Sequence, residues 1–165
     1  MEYWDIYDIH KNRTGRTMKR NDWCLKDGEY HLSVLALIGD GHGRYLITKR
    51  ALDKHWAPGW WEIPGGAARA GEDSADAVKR EALEETGLDL SDAKGGYVYS
   101  YHVENPGEGD NYHVDIYRFE KDFNARDISL QQEETTGYML ATPEEIAEIA
   151  AGGFFLHYER IKMLL

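Results

Sequence analysis

The chain has one cysteine, Cys24, so no intrachain disulfide can staple it. Its stability must come from a packed core, and a reducing compartment suits it. Cys24 itself is expected to be a buried spectator rather than a nucleophile. Positive charge is also in short supply. Nineteen Lys and Arg face 30 Asp and Glu, for a net charge of −11. That balance argues against nucleic-acid backbones and anionic membranes as partners. A phosphate ester stays within reach if a divalent cation carries it. Long apolar runs are missing too. The longest, Leu32 to Ile38, is too short to cross a bilayer. The opening Met1-Glu2-Tyr3-Trp4-Asp5 lacks the basic and apolar pattern of a secretion signal. The expectation is a cytoplasmic protein.

What is present suits one domain, residues 1–165, with ordinary apolar content and many aromatics. Trp4 to Ile9 alternates like an edge strand, and Asn12 to Arg16 reads as a turn. Together they form an N-terminal extension over residues 1–20. His31 to Ile38 and Arg44 to Arg50 are strands joined by the turn Gly39 to Gly43. Pro58-Gly59 marks another turn before a short aromatic strand, Trp60 to Ile63. Asp73 or Ser74 caps a helix running to Thr86, and Gly87 takes the left-handed position beyond it with Leu88 folding back. Tyr97 to Val103 and Tyr112 to Phe119 are strands around a polar loop. Tyr138 to Ala141 is short and extended. Thr142 caps a helix from Pro143 to about Ala151. Gly152-Gly153 separates it from a last helix, Phe154 to Leu165. This order predicts an α+β fold, a mixed sheet lying between helices.

The densest chemistry runs from Gly66 to Leu88. On a helix, Glu81, Glu84 and Glu85 are three and four residues apart, so their carboxylates share one face spanning roughly 100°. Ala75, Val78 and Ala82 make a neighbouring apolar stripe. Like charges at this spacing destabilise a bare helix by a few tenths of a kcal/mol per pair, a penalty that a hard divalent cation with oxygen ligands reverses. The turn Pro64-Gly65-Gly66 lets backbone approach closely, since glycine has no Cβ. A lone Glu-x-x-Glu-Glu is usually a solvated face. The longer pattern, with Glu72, Arg80 and three glycine or apolar markers at fixed spacing, is not.

That pattern resembles the Nudix box, G-x5-E-x7-R-E-U-x-E-E-x-G-U, where U is a bulky apolar residue. Every fixed position matches; only the first U departs, being Ala82. Leu46 to Arg50 followed by Trp61-Glu62-Ile63-Pro64-Gly65-Gly66 is similar to the approach to the box in MutT-type members. Glu134 to Ile146 resembles the family's late strand and helix.

The resemblance implies a Nudix-type α/β/α sandwich and a pyrophosphohydrolase acting on a nucleoside diphosphate linked to another moiety. The cofactor implied is Mg²⁺, with Mn²⁺ as the alternative. Carried over by box position, Glu81, Glu84 and Glu85 are metal ligands, joined by the Gly65 carbonyl. Glu72 binds a second metal or holds Arg80. Arg80, Gly66 and Gly87 are structural. The general base is open between Glu84 and Glu134, with Glu133 adjacent to the latter; Glu85 stands with them as a catalytic candidate. Arg50, Glu62 and Trp60 are the substrate-binding candidates. Trp56 and Trp61, and the alternating Tyr97, Tyr99 and Tyr101, read first as packing and second as ring-stacking groups.

Two other functions compete. Glu29 to Leu32, Arg50 to Leu52 and Pro58 to Trp61 are similar to isopentenyl-diphosphate isomerase. That chemistry needs a cysteine and a histidine near the glycine turn, where this chain has Gly65 and Ala67. A non-catalytic nucleotide-binding regulator on the same fold would usually have lost box carboxylates, and all are here. Nucleotide sugars, dinucleotide polyphosphates and nucleoside triphosphates all remain open as substrates. A homodimer paired through the N-terminal segment is compatible with the sequence.

Overall fold

The computed structural model describes residues 1–165. Nine strands and three α-helices follow in the order β1 (Tyr3–Tyr7), β2 (Arg13–Lys19), β3 (His31–Gly39), β4 (Tyr45–Arg50), β5 (Trp61–Glu62), β6 (Gly65–Ala67), α1 (Ser74–Thr86), β7 (Lys94–Val103), β8 (Tyr112–Glu120), β9 (Thr135–Ala141), α2 (Pro143–Ala151) and α3 (Tyr158–Ile161). The main sheet has the strand order β5-β4-β3-β8-β7, with β6 also on β3 and β9 also on β4. A separate hairpin holds β1 against β2. The expected α+β class, a mixed sheet with helices, is what the chain forms.

The chain divides into two compact units, and β3, α1, β7 and β8 each run from one into the other. The first comprises Met1–Leu35, Gly65–Val78 and Tyr97–Tyr117. Its hairpin is held by a small core of Trp4, Ile6, Met18 and Leu25, with Ala67 packed against it. β6 pairs antiparallel with β3, Val34 opposite Gly66. A Cβ on Gly65 would stand 2.2 Å from the Val34 carbonyl oxygen, so this crossing admits only glycine.

The second unit comprises Ala36–Pro64, Lys79–Gly96 and Arg118–Leu165. Leu37, Ile38, Leu46, Ile47, Ile63, Ile146 and Ile161 are fully buried in it. Strand β4 is its spine, pairing antiparallel with β5 on one register (Thr48 opposite Glu62) and with β9 on another (Thr48 opposite Tyr138).

Several expectations need correction. Residues 12–16 are not merely a turn, because β2 starts at Arg13 and pairs back on β1. The last helix is mostly absent. Phe154 and Leu156 instead exchange backbone hydrogen bonds with Trp61, at 2.8 Å each, and only Tyr158–Ile161 and a 3-10 turn are helical. Satisfying an edge-strand backbone outweighed local helix propensity there. Cys24 is exposed, not buried. On α1 the apolar stripe is Ala77, Val78 and Ala82, while Ala75 is exposed.

Candidate active site

Helix α1 begins where its cap dictates. The Asp73 carboxylate accepts from the Asp76 amide at 2.7 Å, an N-cap bond to the third helical residue. The helix stops at Gly87, whose φ of 78° is the left-handed value glycine tolerates, and Leu88 is buried behind it. Ala82 is fully buried, so the small side chain at the first U position packs inward as expected.

The acidic face lies in the second unit. Glu84 is exposed and Glu81 half-buried, while Glu85 is only 8% exposed. Arg80 bridges two of them: its Nη1 lies 2.8 Å from Glu81 and 3.2 Å from Glu84. Two box carboxylates thus converge on one cationic group, although no group of three acidic, imidazole or thiol side chains stands ready to hold a metal ion. The donors are hard carboxylate oxygens, the set that suits Mg²⁺ or Mn²⁺.

The C-terminus of α1 has orphan carbonyls to satisfy. The late loop supplies the donors: the Ser129 amide reaches the Thr86 carbonyl at 2.8 Å, and the Gln131 amide reaches that of Glu85 at 3.1 Å. Three residues on, the Glu134 carbonyl accepts from the Ala51 amide at 3.0 Å, just past the end of β4. The late loop is therefore tied both to the acidic helix and to the β4 end. Glu134 is held further by an ion pair with Lys54. Lys54 escaped the sequence reading, because only this clamp gives it a partner. Glu133 is exposed.

Arg50, at the end of β4, is thoroughly engaged. Its Nη1 donates to Glu62 Oε2 at 3.2 Å, and its Nε donates to the Trp56 carbonyl at 3.1 Å. Its amide donates to the Trp60 carbonyl at 2.9 Å, and its own carbonyl accepts from Gly59 at 3.2 Å. Burial pushes the Glu62 carboxyl above its ordinary range, Arg50 pulls it back, and the Glu134 charge adds to the rise. Trp60 is half-buried and meets Phe154 edge to face at 5.8 Å.

Gly65, Gly66 and Glu72 belong to the first unit. Gly65 and Gly66 form β6. The Glu72 carboxylate accepts from the Arg69 amide at 3.0 Å, and its carbonyl accepts from Arg13 at 2.9 Å, so Glu72 closes its own loop. Tyr99 and Tyr101 lean on each other, and Tyr97 meets Tyr117 edge to face, as a sheet-face ladder would. No helix is long and apolar enough to cross a membrane.

With this geometry in place, comparison with known proteins gives the class. Residues 29–159 match the NUDIX domain. An uncharacterized Nudix hydrolase of Listeria monocytogenes is 35% identical over 161 residues, covering 96% of this chain and 90% of that one. A crystal structure from Deinococcus radiodurans superposes with a TM-score of 0.72 at 23% identity, covering 92% of this chain and 90% of the other. A bifunctional NMN adenylyltransferase/ADP ribose pyrophosphatase from Francisella tularensis, complexed with AMP and a Mn ion, gives 0.62 at 20% identity, over 82% of this chain and 41% of that one. The chain belongs to the Nudix hydrolase family, of MutT type. Members generally use divalent metals and act on small nucleotide derivatives.

Proposed function

We propose that this enzyme is a Mg²⁺-dependent pyrophosphohydrolase that cleaves the diphosphate bond of a nucleoside diphosphate linked to another moiety. The observation that carries this reading is the late loop, which ties the acidic end of α1 to the β4 end holding Arg50, Glu62 and Glu134. Diphosphate hydrolysis calls for charge neutralisation, an oriented phosphate and a base for the attacking water. Those three needs map onto these groups.

Glu81, Glu84 and Glu85 would hold the ion, Mg²⁺ or Mn²⁺. When bound, it supplies positive charge to the phosphate oxygens. Gly65 and Glu72 enter as further ligands by their box positions alone. Arg50 presents a planar fork that trades Glu62 for phosphate oxygens. Glu62, its carboxyl raised by burial, gives up that partner at reduced cost. Trp60 borders the same loop. Glu134, clamped by Ala51 and Lys54, takes the proton of the attacking water; Glu84 and Glu85 are the alternatives on the helix. Arg80 organises the carboxylates, Gly66 pairs on β3 at the start of the box, and Gly87 stops α1 at its end. The Francisella tularensis protein, which shares this fold over 41% of its chain, is complexed with AMP and a Mn ion. A cytoplasmic enzyme, monomeric or homodimeric, completes it.

A panel of nucleotide sugars, dinucleotide polyphosphates and nucleoside triphosphates with Mg²⁺, run on wild type, Glu84→Gln and Glu85→Gln, tests the proposal. Expected is Mg²⁺-dependent release of a mononucleotide product, lost in both variants. Binding without turnover across the panel would leave a regulator instead.

A further inference from the structure

The loop from Ala51 to Trp60 carries more than it needs for packing. Trp56 is 59% exposed, although the Arg50 guanidinium sits over its ring 5.2 Å from the centroid. Phe154, brought alongside β5 by the Trp61 backbone, is 57% exposed and touches Trp60 edge to face. His157 lies 6.4 Å from the Trp56 ring. A single exposed aromatic needs no explanation. These belong to one unit, and Arg50 ties Trp56 to its own pairing with Glu62.

The loop is also pre-set. Arg50 holds it through its amide, its carbonyl and its Nε. Ala57 takes a left-handed φ of 49° with no glycine to ease it. Such strain persists only where surrounding bonds over-determine the backbone. An indole with two side-chain torsions, a cation on one face and a fixed backbone has little freedom left to lose on binding.

We infer that Trp56 is the stacking platform for the nucleobase of the substrate, while Arg50 joins that platform to the phosphate end. This rests on the hydrolase reading above and adds how the base is recognised. The occupant is a planar heteroaromatic ring carried by a phosphorylated ribose. A flat apolar surface suits its face, and the cation beneath the indole complements the phosphate charge. Recognition by stacking tolerates every base, since each has a π-face. Purines, with the larger ring, bind tighter than pyrimidines.

Titration calorimetry in Mg²⁺ buffer tests this with AMP, GMP, CMP, UMP and ribose 5-phosphate, none of which contains a diphosphate bond. In wild type, each nucleotide is expected to bind about tenfold or more tightly than ribose 5-phosphate. In Trp56→Leu that ratio falls to near one; circular dichroism checks that the variant is folded. A wild-type ratio near one, or a ratio that survives in Trp56→Leu, overturns the platform. Turnover of the diphosphate panel is scored separately. A platform that fails in an active hydrolase condemns this inference alone. An intact base preference in a protein without turnover condemns the hydrolase reading alone.

Discussion

The Ala51 amide and the Glu134 carbonyl meet at 3.0 Å, and this one backbone bond brings a carboxylate from the late loop to the end of β4. The same loop satisfies two carbonyls at the C-terminus of α1, so the position of Glu134 follows the box helix. Lys54 then pairs with its carboxylate and fixes where it sits. A general base must first be positioned, and this clamp positions Glu134. Glu134→Gln is expected to lower kcat by a factor of roughly 10² to 10⁴ while leaving the fold intact. Steady-state hydrolysis kinetics check this. If Glu134→Gln stays within about threefold of wild type and Glu84→Gln bears the loss, the base is on the helix.

On the proposed reading, Arg80 and the divalent ion compete for the same carboxylates. Arg80 pairs with both Glu81 and Glu84, one positive charge against two negative ones. Mg²⁺ should therefore raise the melting temperature of wild type, by the equivalent of about 2.7 kcal/mol at a free concentration 100 times its Kd. A chelator should reverse the rise, and Glu81→Gln should abolish it. In Arg80→Ala the chelated protein should be less stable and the Mg²⁺ increment larger, because the ion then relieves unscreened repulsion. Thermal denaturation with and without a chelator measures both. An increment unchanged in Glu81→Gln would remove that residue from the ligand set.

Two histidines set an acid limit on stability. Burial holds His113 below its ordinary range, and its ring nitrogen Nε2 lies 2.8 Å from the Asp8 carbonyl oxygen. His157 is lowered too, by burial first and then by the cations of Arg50 and Arg160. In the unfolded chain both titrate near 6.5. Below that pH the unfolded state binds protons that the folded state refuses, so unfolding free energy falls as pH falls. The loss ends once pH passes below the depressed folded values. Urea unfolding at pH 7.5 and pH 5 should show the drop, and His157→Gln should flatten it. A slope identical to wild type in His157→Gln would mean that this imidazole is not held neutral.

Much of the helix that carries the box was legible because local rules govern it. The Asp73 cap and the Gly87 stop bound α1 where the pattern put them, and Ala82 faces inward. Strands β3, β4 and β8 matched their apolar runs to within about two residues at each end. Other features depend on partners distant in sequence. β2 reads Arg-Thr-Gly-Arg-Thr-Met-Lys, polar at nearly every position, and is a strand only because β1 pairs with it. The Phe154 segment has apolar residues that suit a helix, yet the open edge at Trp61 claims its backbone. Lys54 sits in a turn with no motif, and its part in the site comes only from the Glu134 clamp.

Gly65, immediately before the box, has almost no steric tolerance. A Cβ there would meet the Val34 carbonyl oxygen at 2.2 Å and Leu35 Cδ2 at 2.8 Å, and backbone cannot swing aside as a side-chain tip can. Val34 is fully buried, so its strand cannot retreat without disturbing the core. Gly65→Ala should therefore cost about 2 kcal/mol or more, as overpacking against a fixed neighbour does. Gly96→Ala is the matched control, since nothing lies within 4 Å of a Cβ at that position. It should change stability by no more than about 0.5 kcal/mol. Equilibrium urea denaturation of the two variants reads the difference directly. If Gly65→Ala proved as stable as Gly96→Ala, the β6–β3 crossing would have to be looser than its 2.2 Å approach indicates.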